Sequence, residues 1–175
     1  MPEAAAGPAL AGATLTAAQL AGLAAAARQD APPLALLRAA DAVGHEAMGH
    51  RLCTAMRFDA AAATVRRLHS SAPDAYPVGG TKPKRDTDWA RHVLQERRTF
   101  VGEGEAAIRR HFADHALILG LGLRSVVNVP VVLRGACLGT LNFLWAEDAV
   151  RPGQVALAEL LGLIVVPDWA AASMG

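Results

Sequence analysis

Cysteine is scarce in this chain of 175 residues: there are two, Cys53 and Cys137, far apart and in apolar surroundings. They lack the paired spacing of a zinc site or a C-x-x-C redox centre, so we expect buried, inert thiols. An excess of one charge is missing as well, because 17 basic and 16 acidic residues leave a formal net charge of +1. No large net field therefore draws the chain to nucleic acid, membrane lipid or an acidic substrate.

Targeting and membrane signals are also missing. The alanine-rich start has Glu3 where a secretory signal would carry a basic segment, and no uninterrupted apolar run is long enough to span a bilayer. The sequence predicts a cytoplasmic protein with neither a membrane nor a nucleic-acid partner.

Apolar residues are plentiful, at 53% of the chain, which is enough for the core of one α/β domain with an appended element. We expect a flexible segment over residues 1–14, a helical arm over 15–47 and the main domain, with a C-terminal helix, over 48–170.

Two helices are predicted for the arm. Thr16-Ala-Ala-Gln19 has the capping-box pattern and starts a helix that runs to about Gln29, where Pro32 and Pro33 break it. A second helix is predicted from Leu34 to Gly44, continuing toward Met48. We interpret the pair as a packing or dimerisation arm.

From Arg51 onward the apolar period changes to two, which is typical of strands. Leu52, Thr54, Met56 and Phe58 fall on one face of a strand, with Thr64–Ser70 as its partner. Two further strands are predicted, Ser125–Leu133 and Ala136–Trp145, joined by a tight turn at Arg134-Gly135.

The sequence between the two hairpins predicts an insertion of loops and short helices. In chain order we expect a long loop from Ser70 to Lys84, a helix from Asp86 to Arg97, a strand from Thr99 to Gly102, a helix from Glu103 to Phe112 and an apolar, glycine-punctuated segment from Leu117 to Leu123. A closing helix is predicted from Pro152 to Val166, ended by Pro167. This order indicates an α+β fold whose antiparallel sheet has helices over one face and the insertion over the other.

Two histidine pairs are candidate metal ligands by their spacing. His45 and His50 are five residues apart, so a regular helix separates them by roughly 140°, which favours a helix end with surface imidazoles. His111 and His115 have the correct spacing of four, with Asp114 beside them, but a third ligand is not evident. They either present two imidazoles to a metal or lie on the rim of a cleft, and we assign no metal site.

Two other short patterns have simple structural interpretations. Gly102-Glu-Gly104-Glu-Ala-Ala107 matches a dinucleotide fingerprint formally, but Glu103 and Glu105 would repel a pyrophosphate and instead suit a helix start. The basic run of Lys82, Lys84 and Arg85 is typical of a solvated loop.

Several blocks of the chain resemble a compact, stand-alone bacterial GAF domain from about Gly49 to Trp145. The blocks are Arg67-Leu-His-Ser-Ser71, Pro73-Asp-Ala-Tyr-Pro-Val-Gly-Gly-Thr-Lys82, Phe100-Val-Gly102, Asn128-Val-Pro-Val131 and Gly135-Ala-Cys-Leu-Gly139-Thr-Leu-Asn142. The resemblance implies a central antiparallel sheet, a small-molecule pocket under the insertion and a homodimer formed through the terminal helices.

The candidate ligand-binding residues come from the insertion and the strands. They are Tyr76, Trp89, Phe100, Phe112, His115, Asn128, Thr140 and Asn142. Strand alternation puts Thr140 and Asn142 on one face. Polar side chains on an apolar sheet need partners, and a ligand, a backbone group or a buried water would each suffice.

Specific functions within the GAF family are not favoured. The Asn-Lys…Phe…Asp-Glu signature of cyclic-nucleotide binding is not found, and neither cysteine stands next to a histidine as bilin attachment requires. We predict a non-catalytic sensor of an unidentified small molecule, without a known cofactor. The alternatives are an interaction or assembly module and, third, a thiol-dependent methionine sulfoxide reductase.

Overall fold

One antiparallel sheet of six strands organises the chain, as seen in a computed structural model that describes residues 13–28, 34–84 and 87–171. The strand order is β3-β2-β1-β6-β5-β4. In chain order the strands are β1 (Leu52–Asp59), β2 (Thr64–Ser70), β3 (Thr81–Pro83), β4 (Phe100–Glu103), β5 (Ser125–Leu133) and β6 (Ala136–Trp145).

Helices cover both faces of this sheet, which confirms the predicted α+β fold. They are α1 (Ala17–Arg28), α2 (Ala35–Met48), α3 (Asp88–Ala90, continued by a π-helical turn over Arg91–Gln95), α4 (Gly104–His111), α5 (His115–Gly120), α6 (Pro152–Ile164) and α7 (Val166–Ala171). Each helix of the described part is too short or too polar to cross a membrane.

The pleat of the central strands separates two apolar layers. Cys53, Ala55, Val127, Leu141 and Phe143 point to one face and form the main core with buried residues of α2 and α6. The residues that alternate with them point to the opposite face, as the predicted period of two required. The strand pattern therefore decides which side chains meet the helices and which meet the insertion.

Long-range hydrogen bonds hold the terminal helices on the sheet. The carboxylate of Asp168 in α7 accepts from the backbone N–H of Leu37 at 2.7 Å, in the first turn of α2. At the other end of α2, the carbonyl of Met48 accepts from Trp145 Nε1 at 3.0 Å and from Gln154 Nε2 at 2.8 Å. The unpaired groups at both ends of α2 are thus satisfied by distant residues.

Several predicted boundaries are confirmed. Thr16 and Gln19 form the capping box, with hydrogen bonds of 2.9 and 3.2 Å. Helix α2 extends to Met48 and ends at Gly49, which has a φ of 71°. Gln29, the proline pair at 32–33 and most of the predicted flexible start lie outside the described residues.

Two local predictions were wrong. The segment from Ser70 to Lys84 is not loop throughout, because β3 pairs with β2. The helix predicted from Asp86 to Arg97 is present as α3 and its π-helical turn, and Thr87 caps it by accepting from Ala90 N at 3.0 Å; Asp86 itself lies outside the described residues. The apolar segment Leu117–Leu123 contains the end of α5 and leads into β5, as predicted.

The second wrong prediction concerns the last predicted helix. Pro167 does not stop the helical region: α6 ends at Ile164, and Pro167 is the second residue of α7. Proline is tolerated there because the first backbone N–H groups of a helix have no partner inside it.

Candidate functional site

A cavity of about 80 Å³ lies between the sheet and the insertion, on the face opposite α2 and α6. Its volume is enough for several water molecules or a small ligand. Thr54, Asn128, Thr140 and Asn142 line it from the strands, together with apolar side chains. The insertion contributes an aromatic cover of Tyr76, Trp89 and Phe112.

A chain of hydrogen bonds crosses the sheet beneath the cavity. Trp89 Nε1 donates to Asn128 Oδ1 at 2.8 Å, and Asn128 Nδ2 donates to Asn142 Oδ1 at 2.8 Å. Asn142 Nδ2 in turn donates to the carbonyl and the hydroxyl of Thr54, at 3.2 and 3.1 Å. Both asparagines are therefore satisfied by protein groups and orient Trp89 over the strands.

Three cations and one carboxylate stand in the cavity wall. Arg67 lies over the Tyr76 ring at 4.9 Å from its centroid, and the Lys84 ammonium lies over the Trp89 ring at 4.4 Å. Lys82 Nζ pairs with Asp114 Oδ2 at 2.8 Å. The wall thus has more positive than negative charge, and two of its cations rest on aromatic faces.

The pKa values of these groups reflect burial and their neighbours. Burial, assisted by the charge of Lys82, lowers the pKa of Lys84. Burial would raise the pKa of Asp114, but the hydrogen bond and charge of Lys82 outweigh it and lower that pKa. Burial and the negative charge of Asp114 raise the pKa of Tyr76, so its hydroxyl stays protonated near neutral pH.

Three buried polar atoms of the wall have no hydrogen-bond partner in the described part of the chain. They are Arg67 Nε, the Tyr76 hydroxyl and the Thr140 hydroxyl. The guanidinium of Arg67 is otherwise held by its Nη1, which donates to the carbonyl of Pro77 at 2.9 Å. Buried groups of this kind are normally paired, so the cavity wall presents one N–H donor, Arg67 Nε, and two hydroxyls, of which that of Tyr76 lies toward Asp114.

Six of the eight predicted site residues line the cavity: Tyr76, Trp89, Phe112, Asn128, Thr140 and Asn142. Phe100 instead packs beside Phe112, with 6.1 Å between ring centroids. His115 faces away, toward an outer groove, and its Nδ1 bonds to the carbonyl of Phe112 at 2.9 Å. A ligand-binding role for the six stays a prediction.

Arg67, Lys82 and Lys84 were missed as site residues. The interpretation of Lys82 and Lys84 as a solvated loop was wrong, because both lie on or beside β3 and line the cavity. Their spacing of two was the available signal, since it puts both side chains on one face of an extended segment.

The remaining motifs considered from the sequence, a histidine pair, a glycine pattern and two cysteines, do not form a site in the described structure. Helix α4 ends at His111, so His111 and His115 do not share a helical turn. Gly104 opens α4 after β4, as the helix-start interpretation predicted. Cys53 pairs in register with Phe143 and Cys137 with Val132, so the thiols lie near opposite ends of the sheet.

Sequence comparisons give no relative: no family model matches the chain, and no curated protein matches it. Comparison with solved structures finds chains of similar fold. The GAF domain of a phosphoenolpyruvate-protein phosphotransferase from Coxiella burnetii is similar, with a TM-score of 0.70, 16% identity, and coverage of 89% of this chain and 95% of that one. The corresponding GAF domain from Acinetobacter matches with a TM-score of 0.66, 14% identity, and coverage of 91% and 97%.

A chromophore-binding domain shares the same architecture. The structure is that of a Stigmatella aurantiaca bacteriophytochrome, with a TM-score of 0.65 and 14% identity over 88% of this chain. The match covers 59% of the bacteriophytochrome chain. At these identities the comparisons establish a common fold.

Proposed function

We propose that this chain, which has the fold of a GAF domain, is a non-catalytic sensory domain that binds a small anionic molecule in the cavity. The unpartnered Arg67 Nε and Thr140 hydroxyl carry this proposal. Burying such atoms without a partner costs free energy, and a bound ligand with acceptor oxygens removes that cost.

Charge narrows the class of ligand. Arg67 and Lys84 face the cavity with their positive charges against aromatic rings, whereas the Asp114 carboxylate is engaged by Lys82. The remaining wall is largely aliphatic and aromatic. A small carboxylate with an apolar body suits this lining, because its oxygens would pair with the cations while its body contacts the apolar side chains.

The first experiment compares small carboxylates with their neutral amides. Benzoate and benzamide form one such pair, and a branched 2-oxo acid and its amide form another. A ligand at a hundredfold excess over its Kd adds about 2.7 kcal/mol of stability, which raises Tm by several degrees. We expect at least one carboxylate of such a panel to raise Tm and its amide not to. Equal responses to both members of every pair would contradict the anionic class.

Lys84→Gln tests the site itself. Removing this cation is expected to raise the Kd of the responding carboxylate about tenfold to a hundredfold, which corresponds to the loss of one charge-assisted hydrogen bond. Arg66→Gln is the matched control, since Arg66 is exposed and does not line the cavity. Calorimetric titration of both variants measures the difference, and similar losses in the two would mean that the carboxylate binds elsewhere.

We further propose that the domain signals as a homodimer through its terminal helices. Leu163 on α6 is 68% exposed, and Leu160 and Leu20 are also exposed.

Leu163→Glu is expected to convert a dimer into a monomer, because a charge would be buried at the interface. Light scattering after gel filtration measures the mass. Leu117→Glu is the control, as Leu117 is exposed on α5. A wild-type protein that is monomeric, or a Leu163→Glu variant that remains dimeric, would contradict the proposed dimer interface.

Two alternatives rank lower. The exposed leucines would also serve an interaction or assembly module, and a monodisperse monomer in gel filtration would count against that alternative. A thiol-dependent reductase is the least favoured, because burial raises the pKa of both Cys53 and Cys137 and the two are not neighbours. The cytoplasmic location stays a prediction.

A further inference from the structure

A second polar cluster lies on the helix-covered side of the sheet, away from the cavity. Asp41 of α2 accepts from His50 Nε2 through Oδ1 at 2.8 Å and from His69 Nε2 through Oδ2 at 2.6 Å. The ligand-type atoms of Asp41, His50 and Cys53 all lie within 4.8 Å of one another. A carboxylate, two imidazoles and a thiol thus converge from α2, β1, β2 and the α2–β1 connection.

The prediction that His50 is a surface imidazole was wrong, because its residue is 1% exposed. His50 follows the end of α2 and turns inward against Phe143, at 4.9 Å between ring centroids. His69 reaches the same face because the pairing of β1 and β2 shifts register between Ala55 and Met56. Such a bulge redirects side chains, and here it brings His69 opposite Ala55, on the helix side.

The cluster has unused bonding capacity. His50 Nδ1 is buried and has no hydrogen-bond partner in the described part of the chain. Cys53 is fully buried, and its Sγ lies within 4.8 Å of ligand-type atoms of both Asp41 and His50.

We propose that Asp41, His50 and Cys53 bind a divalent transition metal of the zinc type, with His69 orienting Asp41 through the second carboxylate oxygen. Thiolate, imidazole and carboxylate together suit zinc or cobalt and do not suit magnesium or calcium, which take oxygen ligands. Three protein ligands leave a fourth position for solvent. A metal there would tie α2 to β1, on the face opposite the cavity.

Binding requires two proton movements, and both have a destination. The Cys53 thiol releases its proton to solvent when the thiolate coordinates. His50 now donates from Nε2 to Asp41, so the proton moves to Nδ1 and frees the Nε2 lone pair for the metal. The unpartnered Nδ1 is available to hold it. Ligand atoms around a tetrahedral zinc are about 3.3–3.8 Å apart, so the present cluster needs small side-chain adjustments.

Cobalt provides the test because a thiolate bound to Co²⁺ gives an intense near-ultraviolet charge-transfer band. Untagged full-length protein is treated with a chelator, dialysed and titrated with Co²⁺, and Zn²⁺ is then added in competition. We expect one Co²⁺ per chain, the thiolate band, its loss when Zn²⁺ displaces Co²⁺, and a higher Tm with Zn²⁺. Absence of the band at saturating Co²⁺ would overturn the proposal.

Cysteine variants assign the thiolate. Since the chain has two cysteines, Cys137→Ser is expected to keep the band and Cys53→Ser to lose it. Loss of the band in Cys137→Ser would overturn the assignment, and this result does not depend on whether Cys53→Ser folds.

His69→Gln tests the orienting role of His69. This variant is expected to keep the band and to lower the affinity for Zn²⁺ about tenfold to a hundredfold, as loss of an orienting partner does. Unchanged Zn²⁺ affinity in His69→Gln would remove its orienting role.

Discussion

Gly139→Ala is expected to destabilise the fold by at least about 4 kcal/mol, which ranks among the largest single-residue effects. A Cβ at this position would lie 1.9 Å from the carbonyl oxygen of Met56 and 2.6 Å from Trp169 Nε1. Gly139 also has a φ of 157°, which side chains rarely adopt. The methyl group cannot be accommodated unless β6 moves away from β1, and that movement would break central pairings of the sheet.

Urea unfolding followed by circular dichroism measures this loss. Gly120→Ala is the matched control, since its Cβ would meet nothing within 4 Å and its residue ends α5. We expect the control to change stability by no more than about 1 kcal/mol. A Gly139→Ala protein as stable as the control would show that β1 and β6 are not in the close contact described.

Asn128→Ala is expected to cost about 3 kcal/mol. The truncation leaves Trp89 Nε1 without its acceptor and Asn142 Oδ1 without its donor, both in buried surroundings. Each unsatisfied buried group costs about 1–3 kcal/mol, and water that enters the enlarged cavity recovers part of the loss. Urea unfolding measures the total.

Thr140→Val is the control for this second prediction, because it also removes a buried polar atom from the cavity wall. The Thr140 hydroxyl has no partner in the described residues, so its removal is expected to be neutral or to stabilise by about 1 kcal/mol. If Asn128→Ala and Thr140→Val had equal effects, the hydrogen-bond chain from Trp89 to Thr54 would have no special role. A Thr140→Val protein that is more stable but binds the responding carboxylate less well would identify the hydroxyl as a ligand contact.

The candidate site was accessible from the sequence where local pattern decided the outcome. Asn128 and Asn142 are polar residues at alternating positions in apolar strands, so they stand out without knowledge of their neighbours. Tyr76 and Trp89 could be selected because they are aromatic residues in a long insertion. Lys84 was interpreted as part of a solvated loop because its spacing of two from Lys82 is a single period, and a three-residue edge strand adds no further repeat to confirm it.

The helix-side cluster was hidden for a different reason. A regular helix would place His45 and His50 roughly 140° apart, but α2 ends at Gly49 and the chain turns back, so their ring centroids are 5.5 Å apart. Helical geometry also says nothing about residues contributed by other elements. Asp41 and His69 are 28 residues apart in the sequence, and they meet because α2 packs on the sheet. The bulge that turns His69 toward Asp41 has no marker in the sequence that we could use.

The sequence by itself determined which elements form and which face of each one is apolar, because periods of two and of about 3.6 follow from local backbone geometry. It therefore specified β1, β5, β6, α2 and an α+β fold. The tertiary structure alone decided that Lys84 lies over Trp89, that Gly139 touches Met56 and that Asp41 meets two histidines. These contacts join residues far apart in the chain, so their existence depends on strand order and register rather than on any local pattern.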